Sequence, residues 1–249
     1  MKKNTSPDNY IYGFHALMET IKAGKSVDKI FFRRGLDNEL FQELFQMVRE
    51  SGIPYQFVPP QKLDRITRKN HQGVVAFISP IAFYRISEVL PTIYEKGETP
   101  FVLILDRITD VRNFGAIARS AECAGVHAIV IPKKNAASIN QDAVKTSAGA
   151  LSKIPVCREN SLADAALFLK ESGLQIISAS EKAELNHFDQ DFTFPTAIVM
   201  GSEDKGISRK LLEASDQLTR IPMAGDIESL NVSVATGILL FEVVRQRYL

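Results

Sequence analysis

Two short runs, FVLIL at 101–105 and AIVM at 197–200, are apolar at every position. A strand with one wet face alternates apolar and polar residues, so unbroken runs point to strands covered on both sides, as in a parallel sheet between helices. Further strand candidates follow at 128–131, 175–178 and 218–221, with helical patterns between them. In the helix expected at 114–124, Phe114, Ile117, Ala121 and Ala124 form the buried stripe, Asn113 is the cap, Gly125 the stop, and Arg119 lies off the stripe. Ser161 caps a second helix at 162–172, ended by Gly173. Residues 1–80 read as a smaller α/β unit, with helices at 13–23, 38–51 and 60–67 and strands at 29–32, 55–58 and 74–78. Asp37 or Asn38 can cap the second of those helices. Pro80, Pro91, Gly97 and Pro100 punctuate a linker at 81–100 around one helix at 86–95, and the larger domain runs over 101–249.

Composition narrows the class. Hydrophobic content of 45% and charged content of 24% suit a soluble globular protein. No run of about 18 apolar residues exists to span a membrane, and the first fourteen residues lack a secretory core, so the expected compartment is the cytoplasm. Cys123 and Cys157, each beside apolar sequence, read as buried reduced thiols, and His15, His71, His127 and His187 lack metal-ligand spacing. Residues 1–80 hold 12 Lys or Arg against 8 Asp or Glu, a net of +4. The excess gathers at Arg33, Arg34, Lys62, Arg65, Arg68 and Lys69, a patch suited to a phosphate backbone, although a solvated lysine face has the same composition.

At the other end, residues 221–247 join a polar loop to an almost wholly apolar helix. From Val232 to Phe241 only Ser233, Thr236 and Gly237 interrupt the apolar residues, so this helix is expected to bury against something large. Gly237 costs about 1 kcal/mol relative to Ala in a helix and suggests a close backbone approach there. Ser229 and Asn231 are small polar residues of the capping type.

Ligands of open α/β sheets bind beyond the carboxyl ends of the strands. Three such ends carry polar, glycine-bearing loops: DRITDVRNFGAIAR, GSEDKGIS and MAGDIESLN. None has the three-glycine dinucleotide fingerprint. Gly201 and Gly206 have P-loop spacing, but Ile207 and Ser208 follow where Lys and Ser or Thr would stand, so ATP is a poor reading. Each loop alone has an ordinary explanation: Asn113 as a cap, Arg119 paired with Glu122, Glu203-Asp204-Lys205 as a solvated turn. Three independent strand ends of the same character weigh against coincidence.

The stretches NFGAIARSAECAG, IVMGSEDKGIS and IPMAGDIESLNVSVATGILLFEVVRQR resemble, in order and spacing, the three motifs of the SpoU-type (SPOUT-class) 2′-O-ribose RNA methyltransferases. NAASINQDAVKTSAGALSKIPV is similar to the family's intermediate segment. YGFHAL and HQGVVAF resemble the substrate-binding domain of the bacterial 23S rRNA guanosine-2′-O-methyltransferases. The resemblance implies a parallel α/β sheet with a deep trefoil knot, a homodimer, and S-adenosylmethionine held near Gly201, Ile221, Leu230, Met223, Ser178 and Ala179. It implies a methyl-transfer site of Asn113, Arg119, Glu203, Ser229 and Asn231 that needs no metal. RNA would meet the first domain at Arg33, Arg34, Arg65, Arg68, Lys69 and His71. Asp110-Val111-Arg112 departs from the Asp-Pro that many members carry, a change expected to affect loop stiffness more than chemistry. The activity implied is transfer of a methyl group to a ribose 2′-hydroxyl, with a guanosine of 23S rRNA ahead of a tRNA target and of an inactive RNA-binding relative.

Overall fold

The computed structural model describes residues 10–227 and 229–248; Glu228 of the MAGDIESLN loop lies outside the described residues. Contacts divide the chain into two compact units, Met1–Ala82 with Ile139–Gln141, and Phe83–Ser138 with Asp142–Leu249.

In the first unit, β1 (Tyr10–Tyr12), β2 (Val27–Arg33), β3 (Tyr55–Val58) and β4 (Val74–Ile78) form a sheet of order β1-β4-β2-β3. β4 runs antiparallel to both neighbours and β3 parallel to β2. Successive residues point to opposite faces. Ile30, Phe32, Val74 and Ala76 therefore pack with Phe14, Leu17 and Met18 of α1 (Phe14–Lys22) and with Leu44 and Val48 of α2 (Glu39–Glu50). Phe31 and Val75 face the other way, onto Leu63 of α3 (Pro60–Ile66). Asn38 is the cap that starts α2, accepting from the Phe41 N–H at 2.8 Å.

The second unit holds β5 (Phe83–Tyr84), β6 (Phe101–Asp106), β7 (Ala128–Pro132), β8 (Val156–Glu159), β9 (Gln175–Ala179), β10 (Leu185–Asn186), β11 (Thr196–Gly201) and β12 (Gln217–Arg220). They pair in parallel in the order β10-β12-β9-β11-β6-β7-β8-β5. The five apolar residues of β6 are buried, as its unbroken run requires, and Asp106 at its end is buried with them. One face is covered by α4 (Ile86–Glu95), α7 (Leu162–Glu171) and α8 (Arg209–Ala214). Among the described residues the other α-helices that follow are α5 (Val111–Cys123), α6 (Gln141–Thr146), whose first residue is grouped with the first unit, and α9 (Val232–Tyr248); α5 and α9 pack together. From β6 the chain steps outward through β7 to β8, then returns to the far side of β6 to lay down β9 and β11. That reversal makes the carboxyl ends beside β6 and β11 a topological switch point.

Several expectations need correction. The stretch 81–100 is more than a linker around a helix: Phe83 and Tyr84 pair with Val156 and Cys157, and Ile86, Val89, Leu90 and Ile93 join the core of the second unit. α5 begins earlier than expected because Asp110 is its cap, accepting from the Asn113 N–H at 2.7 Å. Asn113 is thus an early helical residue, and its side chain is released from capping. Arg119 is not paired with Glu122, whose carboxylate takes Lys153 at 2.9 Å. Of the cysteines only Cys157 is buried, and burial first, then the nearby Glu159, pushes its thiol up to about 12; Cys123 is exposed. No backbone closes on Gly237, since a Cβ there would meet only the Ser120 hydroxyl oxygen, 3.9 Å away. Nor is α9 covered all round: Val234 and Phe241 are half exposed.

Candidate active site

Three loops that leave β6, β11 and β12 meet at the start of α9. Asn231 stands immediately before that helix, and its Oδ1 accepts from the Ser233 N–H at 2.9 Å, which makes it the cap anticipated from residue type. Its Nδ2 points the other way and donates to Asn113 Oδ1 at 3.1 Å and to Glu203 Oε1 at 2.9 Å. The same Glu203 oxygen accepts from the Val232 N–H at 2.9 Å. A carboxylate at the amino end of α9 is favoured by the helix dipole and satisfies an amide with no partner inside the helix. One asparagine therefore ties residues 118 and 28 positions away into one polar cluster.

The Glu203 turn is itself tightly closed. The Gly206 N–H donates to Ser202 O at 2.8 Å and the Lys205 N–H to Ser202 Oγ at 3.2 Å. Gly201 lies against this turn so closely that a Cβ on it would come within 2.3 Å of the Gly206 carbonyl carbon. Only glycine fits.

Beside the cluster opens a cleft of about 880 Å³ at the carboxyl ends of β9, β11 and β12. Gly201, Ile221, Met223, Leu230 and Ala179, which the family resemblance assigns to the cofactor, line it, and so do Glu203 and Ser229. Ser178 does not: it is wholly buried, and its hydroxyl is hydrogen-bonded to that of Ser215 at 2.7 Å. Strand alternation separates it from its neighbour Ala179. Ser180, Glu181 and Lys182 form a wall that sequence reasoning missed. The signal was present, because ASEK follows a strand end just as the three inspected loops do. Arg119 is exposed on α5 and is not part of the hydrogen-bonded cluster. Among the described residues no group of three or more His, Cys, Asp or Glu is placed to hold a metal.

In the first unit, Arg33, Arg34, Arg65, Arg68 and Lys69 are exposed on the end of β2, the end of α3 and the loop after it. The Arg33 N–H donates to Gly73 O at 2.8 Å, which joins that loop to β2. Lys62 and Lys69 lie over the Phe31 and Tyr12 rings at 4.5 and 5.8 Å, the first close enough for a strong cation–π contact. His71 differs from the other candidates. Its Nδ1 accepts from the Gly73 N–H at 3.0 Å, which leaves Nε2 to donate to Asp64 at 3.1 Å, so both ring nitrogens hold the loop.

Known proteins resemble this chain over both units. The model of the SpoU rRNA Methylase family matches residues 100–241, and that of RNA 2′-O ribose methyltransferase substrate binding matches residues 10–84. The chain is 39% identical to the 23S rRNA (guanosine-2′-O-)-methyltransferase RlmB of Yersinia pestis, over 95% of this chain and 97% of the relative. It is 38% identical to the Escherichia coli K12 protein of the same name, over 95% and 98%. Among solved structures, the SpoU methyltransferase AviRb from Streptomyces viridochromogenes in complex with AdoMet superposes with a TM-score of 0.60 at 25% identity, over 95% of this chain and 89% of the other. The chain belongs to the SpoU rRNA methylase family.

Proposed function

We propose that the protein transfers a methyl group from S-adenosylmethionine to the ribose 2′-hydroxyl of a guanosine in 23S rRNA. The observation that carries this reading is the junction of Asn113, Glu203 and Asn231 beside a cleft at the strand ends. The relatives named for this reaction are similar over nearly the whole chain.

The cleft suits the methyl donor. Its volume of about 880 Å³ falls in the range of small-molecule sites. Ile221, Pro222, Met223 and Leu230 offer an apolar wall for a flat base, while Glu181, Lys182 and Asp204 offer charge for the amino-acid portion. When bound, S-adenosylmethionine supplies a sulfonium methyl open to in-line attack. The protein's task is to align the sugar oxygen and lower the cost of its losing a proton. A guanidinium is in general a very poor proton acceptor, so the role proposed for Arg119 is electrostatic. It binds the phosphate beside the ribose and stabilises the developing alkoxide. Glu203, with its carboxylate committed to Asn231 and the Val232 amide, holds the loops in register. Ser229, exposed on the cleft wall, orients the ribose or the carboxylate of the donor.

The first unit is the RNA-binding domain, supported by its basic patch and by the substrate-binding model that matches it. A homodimer is supported by α9, where Val234, Phe241 and Tyr248 recur at seven-residue intervals on one exposed face. A second copy would cover that stripe. The trefoil knot belongs to this reading through the family resemblance. Cytoplasmic location follows from the substrate, and among the described residues no helix is long and apolar enough to cross a membrane. Arg119→Ala tests the assignment: methyl transfer is lost while S-adenosylmethionine still binds. Loss of both together would contradict the role given to Arg119.

A further inference from the structure

Arg107 follows the last residue of β6 and holds a left-handed backbone, φ 61°, that side chains other than glycine rarely adopt. Strain of this kind persists where surrounding contacts enforce it. Here the contacts are to the Glu203 turn. The guanidinium Nη2 donates to Gly206 O at 2.9 Å and more weakly to Lys205 O at 3.4 Å. Its Nε lies 3.5 Å from Asp106 Oδ1, at ion-pair distance, and the other oxygen of Asp106 accepts from the Ser208 N–H at 2.6 Å. Asp106, the last residue of β6, and Arg107 just after it thus grip the turn at 205, 206 and 208, while Glu203 at its opposite side grips Asn231 and the start of α9.

We propose that Arg107 is a positioning residue for methyl transfer: it fixes the 202–206 turn against β6 and so sets where the Glu203 carboxylate meets Asn231. This rests on the reading of Asn113, Glu203 and Asn231 as the methyl-transfer site. Arg107 touches neither that carboxylate nor Asn231, so its influence passes through the turn. A free turn would let Glu203 wander by an ångström or so, a displacement large enough to slow a well-aligned reaction.

Arg107→Gly is a clean probe, because glycine adopts the positive φ at ease and the substitution removes only the side chain. We expect Arg107→Gly to keep its KM for RNA within about twofold and to lose kcat by about tenfold or more. The decisive comparison is a double-mutant cycle with Glu203→Gln. If Arg107 acts through Glu203, then Arg107→Gly changes kcat by less than about twofold once Glu203→Gln is present. Factors that multiply would overturn the proposal, as would a parental kcat in Arg107→Gly alone. The coupling decides the matter even if Arg107→Gly lowers the melting temperature. Full activity in Glu203→Gln alone would instead overturn the underlying reading of the site, so the two failures are distinguishable.

Discussion

Gly201→Ala is the substitution whose consequence can be worked out most closely. The added methyl would sit 2.3 Å from the Gly206 carbonyl carbon and 2.5 Å from both Gly206 O and Ile207 N, whereas ordinary contact begins at 3.4 Å. Every obstructing atom is backbone, so no side chain can rotate away and the turn must retreat by about 1 Å. Glu203 Oε1 holds Asn231 Nδ2 and the Val232 amide at 2.9 Å each, and a retreat of that size takes both close to or beyond hydrogen-bond reach. Charge-assisted bonds of this type contribute about 1.5–3 kcal/mol each, but Glu203 is exposed and water replaces part of the loss. A net destabilisation of about 1–3 kcal/mol follows, equivalent to a fall in Tm of about 3–10 °C for a chain of this size. Misplacement by about 1 Å costs up to about 100-fold in rate. Calorimetric Tm, S-adenosylmethionine Kd by titration and single-turnover methyl transfer read the three effects separately. A Gly201→Ala protein with parental Kd and kcat would refute the claim that this turn is closed and that its position matters.

Gly237→Ala should go the other way: the methyl finds only Ser120 Oγ at 3.9 Å, so helix propensity is expected to raise stability by about 0.5–1 kcal/mol. A lower Tm would mean that another chain closes on that face. Burial pushes the His127 imidazole below its ordinary value, with Glu98 opposing the shift and Arg247 adding to it. The folded state then binds fewer protons than the unfolded one, so this contribution to stability is complete above about pH 6.5 and is lost as pH falls from there through the depressed folded value. Urea unfolding from pH 8 to pH 5 should show the decline, and His127→Asn should flatten it; identical curves would exclude His127 as the cause. Replacing Arg65 and Arg68 by Ala should weaken RNA binding and lower the slope of log K against log salt by about 1 per phosphate contact removed. An unchanged slope would take the basic patch out of the RNA interface.

The parts legible in the sequence were those written in period and punctuation. Unbroken apolar runs marked β6 and β11, Asn38 and Ser161 marked helix starts, and Gly125 and Gly173 stopped helices at positive φ. β5 and β10 stayed hidden because each is only two residues long, too short for alternation to register. β8 was hidden by Arg158 and Glu159, which break its apolar pattern. The cap of α5 was misplaced because Asp110 and Asn113 are both good caps and only geometry shows which carboxylate or amide faces the amide row. Residue type and motif identified Asn113, Glu203 and Asn231, but their meeting is a property of sheet order, which local pattern does not carry. Arg107 was invisible for the same reason, since nothing local says that its side chain reaches Gly206 across the sheet.

In the proposed function the cleft and the polar cluster hold a methyl donor against a sugar oxygen of ribosomal RNA. Its most direct test is to incubate the purified protein with methyl-labelled S-adenosylmethionine and 23S rRNA lacking native 2′-O-methylation, digest the RNA to nucleosides and locate the label by mass spectrometry. Label is expected on the ribose of a guanosine, and none when Arg119→Ala replaces the parent. Label on a nucleobase, or none on any RNA, would contradict the proposed function.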